Sequence, residues 1–160
     1  MSLRVGIGVD AHAFTDEAAL LLGGVAVPGA PGLAGHSDGD VVAHALVDAV
    51  LGAAGLGDIG SFFPSDEPEW EGASSLLFLE QAMAAVRGAG FELVNADCVL
   101  VGERPRIAPF RAEMEARLAG ALGVEAGQVS LRATTTDGLG FTGRGEGLAA
   151  YAVALLVRRA

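Results

Sequence analysis

Three side chains near the start of this sequence, Asp10, His12 and His44, have the chemistry of a metal site. Asp10 and His12 stand two residues apart, and the whole chain contains three histidines. Two imidazoles and one carboxylate leave a tetrahedral zinc ion with an open position, which is typical of catalytic zinc. The alternative is that His12 is an ordinary polar residue at the end of a strand and His44 a solvated helical residue. The residues alone leave both interpretations open.

The residues before Asp10 predict a β-strand. Apolar residues alternate with polar residues and glycines over residues 3–9, which is strand periodicity. Asp10 and His12 are therefore expected on the same face at the end of this strand. Gly6 and Gly8 lie on that face and have no side chains, so another part of the molecule could approach closely.

A helix is predicted to carry His44. Within residues 35–60, a polar, glycine-broken entry leads into apolar residues spaced as one buried helical face. Ser37 or Asp38 is predicted to cap the helix N-terminus. Asp48 lies one turn after His44, so we expect its carboxylate to hold the imidazole of a metal-binding His44.

The remaining periodicity predicts further strands and helices. Strands are expected near residues 20–22, 25–27, 91–101, 129–134 and 148–157, and helices over residues 74–87 and 105–122. A chain of 160 residues is long enough for one domain with its own core. Strands interleaved with helices predict an α/β (α+β) fold, a single domain over residues 1–160 with one mixed β-sheet covered by helices.

The composition argues against several classes of partner. The formal net charge of −10 is unsuited to nucleic acid and to an anionic membrane. No apolar run approaches a membrane span and the strand pattern starts at once, so we expect a cytoplasmic protein without a targeting segment. All ten basic residues are arginines, which removes lysine-dependent phosphate loops and Schiff-base chemistry. The single Cys98 lies in an apolar run and is expected to be buried and inert.

A hydroxyl cluster indicates a phosphorylated ligand. The threonines at 134–136 could donate hydrogen bonds to phosphate oxygens, and the Asp137 carboxylate could bind Mg²⁺. An ordinary strand ending in a turn could have the same residues. The glycine-rich segments 6–11 and 142–147 lack a following helix and are not predicted to hold a nucleotide. The residues thus predict a metal-dependent enzyme acting on a phosphorylated ligand.

Taken together, the motifs resemble one family closely, the 2-C-methyl-D-erythritol 2,4-cyclodiphosphate synthases of non-mevalonate isoprenoid biosynthesis. The resemblance covers residues 4–158 and follows the order and spacing of the family. The matching motifs are Asp10-Ala11-His12, the segment 34–40, His44, residues 46–60, Phe63-Pro64, residues 133–136 and residues 139–147.

The resemblance implies a reaction and an assembly. The protein would be a phosphorus–oxygen lyase that converts 4-diphosphocytidyl-2-C-methyl-D-erythritol 2-phosphate into the 2,4-cyclodiphosphate with release of CMP. It would be a homotrimer with active sites between subunits. Asp10, His12 and His44 would bind zinc, which would polarise the β-phosphate as a Lewis acid. His36 and Thr135 match positions that stabilise the transition state.

The resemblance also assigns the other site residues. Mg²⁺ or Mn²⁺ would bridge the substrate phosphates near Asp137. Phe141 and Arg144 match the lining of a cavity on the threefold axis, which the family associates with isoprenoid diphosphates. Substrate contacts are implied for Asp10, His12, His36, Ser37, Asp58, Ile59, Gly60, Phe63, Pro64, Ser65, Asp66, Glu67, Gly102, Pro105, Arg106, Ile107, Ala108, Thr134, Thr135, Thr136, Asp137, Phe141 and Arg144.

Four residues depart from the family pattern, and two other functions remain open. Asp137 replaces a common Glu, Arg106 a common Lys, Ser65 a common Asp, and Val9 an aromatic residue of the axial cavity. A zinc phosphohydrolase would release CMP without forming a cyclic product. A non-catalytic trimeric binder of metal or isoprenoid diphosphate would bind its ligand without turnover.

Overall fold

A five-stranded mixed sheet organises the computed structural model, which describes residues 2–160. The strands are β1 (Leu3–Thr15), β2 (Leu21–Leu22), β3 (Val25–Ala26), β4 (Gly32–Leu33), β5 (Phe91–Val101), β6 (Val129–Thr134) and β7 (Gly147–Arg158). The helices are α1 (Val41–Ala54), α2 (Ile59–Phe62), α3 (Ser75–Gly88), α4 (Arg111–Leu122) and α5 (Gly140–Gly143), with 3₁₀ turns at Pro68–Trp70 and Ala126–Gln128. The sheet order is β4-β1-β7-β5-β6, in which β5 and β6 pair in parallel and the other neighbours pair antiparallel. β2 and β3 form a separate hairpin.

The predicted mixed sheet with helices is confirmed, and two predicted element boundaries are wrong. The cap of α1 is Asp40 and not Ser37 or Asp38, because the Asp40 side chain accepts the Ala43 N–H. The helix predicted from residue 105 begins only at Arg111. Pro109 explains the delay, since the residue before a proline is disfavoured in helical backbone.

Helix α1 lies directly on the backbone of β1. A Cβ atom built at Gly6 would stand 2.1 Å from the Ala49 carbonyl oxygen, and one at Gly8 would stand 1.8 Å from the Ala45 carbonyl oxygen. Any side chain at these two positions would therefore push the helix away from the strand. The close approach brings His44, near the start of α1, towards the end of β1 that carries Asp10 and His12.

The interior beneath α1, α3 and α4 is a continuous apolar core. Cys98 lies within it, and burial raises the pKa of its thiol to about 12, as an inert cysteine requires. None of the helices within residues 2–160 is long and apolar enough to cross a membrane.

The opposite face of the sheet is apolar along β1 and β7, and no helix within residues 2–160 covers the exposed side chains there. We call the exposed apolar residues of β1 and β7 on this side the open sheet face. Its members are Leu3, Val5, Ile7, Val9, Tyr151 and Val153. Val5 is 70% exposed and Ile7 67% exposed, and Ile7 stands directly opposite Val153 in the strand pairing. A contiguous apolar patch of this kind marks a protein–protein contact surface.

Candidate active site

The three predicted metal ligands converge on one point between β1 and α1. His12 Nε2 lies 2.8 Å from Asp10 Oδ2, and His44 Nδ1 lies 3.1 Å from the same oxygen. The two imidazole nitrogens are 3.3 Å apart. Ligands bound to tetrahedral zinc at about 2.1 Å stand roughly 3.3 Å from one another, so these three atoms resemble one face of such a site. The predicted cluster of Asp10, His12 and His44 is confirmed.

Neighbouring groups hold both imidazoles in fixed orientations. His12 Nδ1 donates to the Ala34 carbonyl oxygen at 2.7 Å, which leaves Nε2 to face the other two ligands. His44 Nε2 lies 2.7 Å from Ser75 Oγ and 3.0 Å from Ser37 Oγ, on the side of the ring away from Asp10. A metal-binding imidazole is usually fixed through its second nitrogen in this way.

The electrostatics of the cluster keep Asp10 ionised. Burial alone would raise the pKa of Asp10, but the hydrogen bonds and charges of His12 and His44 outweigh it and lower the pKa to about 2. The hydrogen bond to Asp10 in turn raises the pKa of His12, against the opposing effect of burial. Asp10 is therefore a carboxylate at neutral pH, as binding to a divalent cation requires.

Asp48 has a different partner from the one predicted. Its Oδ1 atom accepts the Ile59 N–H at 2.7 Å, whereas the two nitrogens of His44 face the groups described above. The expected contact between Asp48 and His44 is therefore wrong. The chain after α1 returns towards the helix, and there the Ile59 N–H donates to Asp48. Asp48 thus anchors the start of α2.

We expect the variant Asp48→Asn to keep this anchor, because an amide oxygen accepts the same hydrogen bond. Burial raises the pKa of Asp48 in spite of the Ile59 bond. Ionising Asp48 therefore costs stability as the pH rises above 3.8, and the asparagine variant avoids that cost. Its Tm should exceed that of the wild type by up to about 3 °C at pH 7, and the difference should shrink as the pH falls towards 3.8.

Thermal melts at several pH values check this prediction, with Asp48→Ala as the matched variant. The alanine variant loses the acceptor, so its Tm should fall and its KM should rise. An asparagine variant as impaired as the alanine variant would show that the charge, and not the acceptor, is what matters.

A first pocket of about 270 Å³ adjoins the three ligands. Its lining residues are His12, His36, Ser37, His44, Ile59, Gly60, Phe63, Ser65, Trp70 and Phe78. His12 and His44 form part of one wall, and an aromatic cluster forms another. Phe63 stacks on Phe78 with ring centroids 4.3 Å apart, and Trp70 meets Phe63 edge-on at 5.2 Å. A polar wall opposite an apolar wall suits a ligand with a phosphate and a carbon skeleton.

Most of the predicted residues of this region lie in or beside the first pocket. Asp58 caps α2, and Glu67 uses its backbone oxygen to accept from His36 Nε2 at 3.1 Å. Pro64 and Asp66 are neighbours of Ser65 on the same loop. Sequence reasoning missed Trp70 and Phe78. Trp70 could have been found, because the sole tryptophan of the chain lies in a glycine- and proline-rich loop.

A second pocket of about 290 Å³ contains most of the predicted residues of the β5 and β6 ends, but not Thr136 or Asp137. Its lining residues are Gly102, Glu103, Pro105, Arg106, Ile107, Ala108, Arg111, Ala133, Thr134 and Thr135. Two arginines make it suitable for an anionic ligand such as a diphosphate. Sequence reasoning missed Arg111. Glu103 accepts the Gly138 N–H at 2.8 Å and so holds the following turn against the pocket.

The threonines around this pocket point in different directions. Thr135 Oγ1 donates to Asp137 Oδ1 at 3.1 Å, and both residues are exposed. Asp137 has a positive φ of 53°, which turns the chain sharply. The Thr136 hydroxyl instead donates to the Leu139 carbonyl oxygen at 2.6 Å, within the turn. Thr135 and Asp137 are therefore placed to meet a ligand, whereas Thr136 holds the turn.

The two pockets lie at the same end of the sheet but on different strands. The pairing registers place Ala11 of β1, Ala149 of β7, Val101 of β5 and Thr134 of β6 in one row. Three strand spacings separate the ends of this row, which is about 14 Å. Thr135 is therefore not beside the metal ligands of its own chain.

The residues predicted for an axial cavity lie on an exposed turn. Phe141 is 41% exposed, and Arg144 pairs with Glu146 at 2.7 Å. Because both partners are exposed, the pair contributes little to stability.

Comparison with known proteins gives similarity along nearly the whole chain. The model of the YgbB family matches residues 3–157. The 2-C-methyl-D-erythritol 2,4-cyclodiphosphate synthase of Rubrobacter xylanophilus is 56% identical over 158 residues, which is 97% of this chain and 95% of that protein. The bifunctional enzyme IspD/IspF of an Anaeromyxobacter species is 56% identical over 156 residues, or 98% of this chain, but the chain spans only 40% of that protein. A solved 2C-methyl-D-erythritol-2,4-cyclodiphosphate synthase in a CDP-bound form is 38% identical with a TM-score of 0.87, covering 96% of this chain and 100% of that one.

Proposed function

Because the chain belongs to the YgbB family, we propose that it is the synthase that its relatives' names describe. It converts 4-diphosphocytidyl-2-C-methyl-D-erythritol 2-phosphate into 2-C-methyl-D-erythritol 2,4-cyclodiphosphate and CMP, in isoprenoid precursor biosynthesis. The observation that carries this proposal is the convergence of Asp10, His12 and His44 beside a pocket that the two histidines line and that also has an aromatic wall.

The donor set fits a zinc ion. Two neutral imidazole nitrogens and one carboxylate oxygen are typical zinc ligands, and three protein ligands leave a position for substrate. A bound zinc would act as a Lewis acid on a phosphate oxygen. Asp10 supplies a negative charge, while the contacts of His12 with Ala34 and of His44 with Ser75 keep the imidazoles turned towards the ion.

The protein's part in the reaction is to bind and orient the substrate and to stabilise charge. An oxygen of the 2-phosphate attacks the β-phosphorus, a new P–O–P link forms, and the bond to the CMP phosphate breaks. The 2-phosphate is already ionised at neutral pH, so no strong general base is needed, and holding both phosphates within one folded substrate supplies effective concentration. His36, whose ring is held by Glu67, and Thr135 stabilise the charge that develops.

The active site is completed by a second copy of the chain in a homotrimer. Two observations support this assembly: the open sheet face is apolar, and the ends of β1 and β6, which carry residues of the two pockets, lie about 14 Å apart in one chain. The second pocket of a neighbouring copy brings the cytidine diphosphate to the metal ligands of the first. Asp137, an exposed carboxylate beside Thr135, would hold Mg²⁺ or Mn²⁺, which would offset the negative charge of the substrate diphosphate. Phe141 and Arg144 are assigned to an isoprenoid diphosphate on the axis.

A ³¹P NMR time course with the cytidyl substrate, zinc and magnesium tests the proposed reaction. The expected result is a pair of coupled cyclic diphosphate resonances that grows together with CMP. CMP with an open-chain diphosphate would instead indicate a phosphohydrolase. Absence of turnover with zinc, magnesium or manganese, despite ligand binding, would indicate a non-catalytic binder.

A further inference from the structure

A buried hydrogen-bond chain lies behind His44, on the ring nitrogen that faces away from Asp10. His44 Nε2 is 2.7 Å from Ser75 Oγ, and Ser75 Oγ donates to Asp38 Oδ1. Ser75 is fully buried at the first residue of α3. The reaction proposed above uses only the other side of the His44 ring, so the role of Ser75 and Asp38 is still to be explained.

The chemistry of Asp38 sets the direction of this chain. An ionised carboxylate only accepts, so the Ser75 hydroxyl proton points to Asp38. Asp38 also accepts the Ser75 N–H at 2.8 Å and the Asp40 N–H at 3.0 Å, which prevents it from rotating away. With its proton committed, Ser75 Oγ can only accept from His44 Nε2. His44 must then carry its proton on Nε2 and present the lone pair of Nδ1 to Asp10 and His12.

Two further contacts agree with this direction. Ser37 Oγ lies 3.0 Å from the same nitrogen and can share its proton, as in a bifurcated hydrogen bond. The ring of Phe78 stacks against His44 with centroids 6.2 Å apart, which restricts rotation of the imidazole. The ring of His44 is therefore held both in its orientation and in its tautomer.

We propose that Ser75 and Asp38 are positioning residues that select the tautomer of His44 able to bind a metal through Nδ1. The inference rests on the metal centre proposed above. It predicts that these two residues, which face away from the ion and from the first pocket, determine how tightly the ion binds.

Zinc affinity, measured by competition with a chelator, tests this role in three variants. Ser75→Ala removes the acceptor of the His44 proton, and we expect zinc affinity to fall about 10- to 100-fold, as for other partners of metal-bound histidines. Asp38→Asn replaces one of the two acceptor oxygens by an amide donor, so it cannot keep all three hydrogen bonds from Ser75 and Asp40 and holds the Ser75 hydroxyl less firmly. Its zinc affinity should also fall, because Nε2 protonation of His44 is then less strongly favoured. Ser130→Ala should bind zinc like the wild type, because Ser130 lies on β6, which β7 and β5 separate from β1. Its hydroxyl donates to Asp97 of β5 at 2.7 Å.

A spectroscopic measurement on the wild type keeps the test independent of variant folding. In ¹⁵N NMR spectra of the zinc-loaded protein, His44 Nε2 should carry a slowly exchanging proton, since Ser75 is fully buried. Metal-free Asp38→Asn should show a larger fraction of the His44 tautomer protonated on Nδ1 than the metal-free wild type.

The outcomes separate this inference from the proposed centre. Wild-type zinc binding together with unchanged affinity in both Ser75→Ala and Asp38→Asn overturns the positioning role alone, as does a wild-type His44 with no proton on Nε2. A wild-type protein that does not bind zinc overturns the proposed centre and this inference with it.

Discussion

The variant His44→Ala is expected to lose zinc affinity by more than about 100-fold and to form no detectable cyclic product. Loss of a residue that merely supports a metal ligand costs about 10- to 100-fold, and loss of the ligand itself should cost more. His44 Nδ1 is one of three converging donor atoms, so its removal leaves only two protein ligands on β1. Chelator competition measures the affinity, and ³¹P NMR measures the product.

His36→Ala is the matched variant for this experiment. His36 also lines the first pocket but is held by the Glu67 carbonyl and is not part of the ligand cluster. We expect it to bind zinc normally and to turn over slowly. A His44→Ala protein with wild-type zinc affinity would refute the metal assignment, whereas a His36→Ala protein that fails to bind zinc would show that the ligand set is larger.

The variant Ile7→Glu is expected to convert the proposed trimer into folded monomers with less than about 1% of the wild-type activity. Ile7 is 67% exposed at the centre of the open sheet face, so a glutamate is solvated in the single chain. In an assembly that covers this face, the same carboxylate would be buried without a partner, at a cost of several kcal/mol. Light scattering distinguishes one chain of 16.1 kDa from three.

Leu77→Glu is the matched control for the charge itself. Leu77 is 40% exposed on α3, on the side of the sheet that the helices cover. This variant should keep both the mass and the activity of the wild type. Trimeric Ile7→Glu would exclude the open sheet face as the contact surface. Monomeric Ile7→Glu with full activity would show that one chain contains a complete site.

The metal cluster was predictable because it depends on local periodicity. Strand alternation puts Asp10 and His12 on one face, and helical periodicity shows that the segment with His44 must pack against something apolar. Two bare glycines on the same strand face identify β1 as the surface that α1 can approach. All these features can be inferred from residues close to each ligand in the sequence.

The groups that hold His44 were not predictable, because they depend on tertiary contacts. Ser75 is 31 residues away from His44 in the sequence and meets it only because α3 packs beside α1. The i, i+4 rule pointed to Asp48, but a loop donor from Ile59 reaches that carboxylate. The separation of the two pockets is likewise a property of strand order, which periodicity does not reveal.

The contact between α1 and β1 means that the ligand spacing of the metal centre is determined partly by residues without side chains. The Cβ positions of Gly6 and Gly8 would overlap carbonyl oxygens of α1, so the helix lies closer to the strand than any residue with a side chain would allow. His12 belongs to the strand and His44 to the helix, so the spacing between the two elements also sets the spacing between the two imidazoles. A methyl group at Gly8 would push α1 away from β1 and increase the distance between the two imidazoles. The choice of ion is therefore linked to a position two residues before the first ligand.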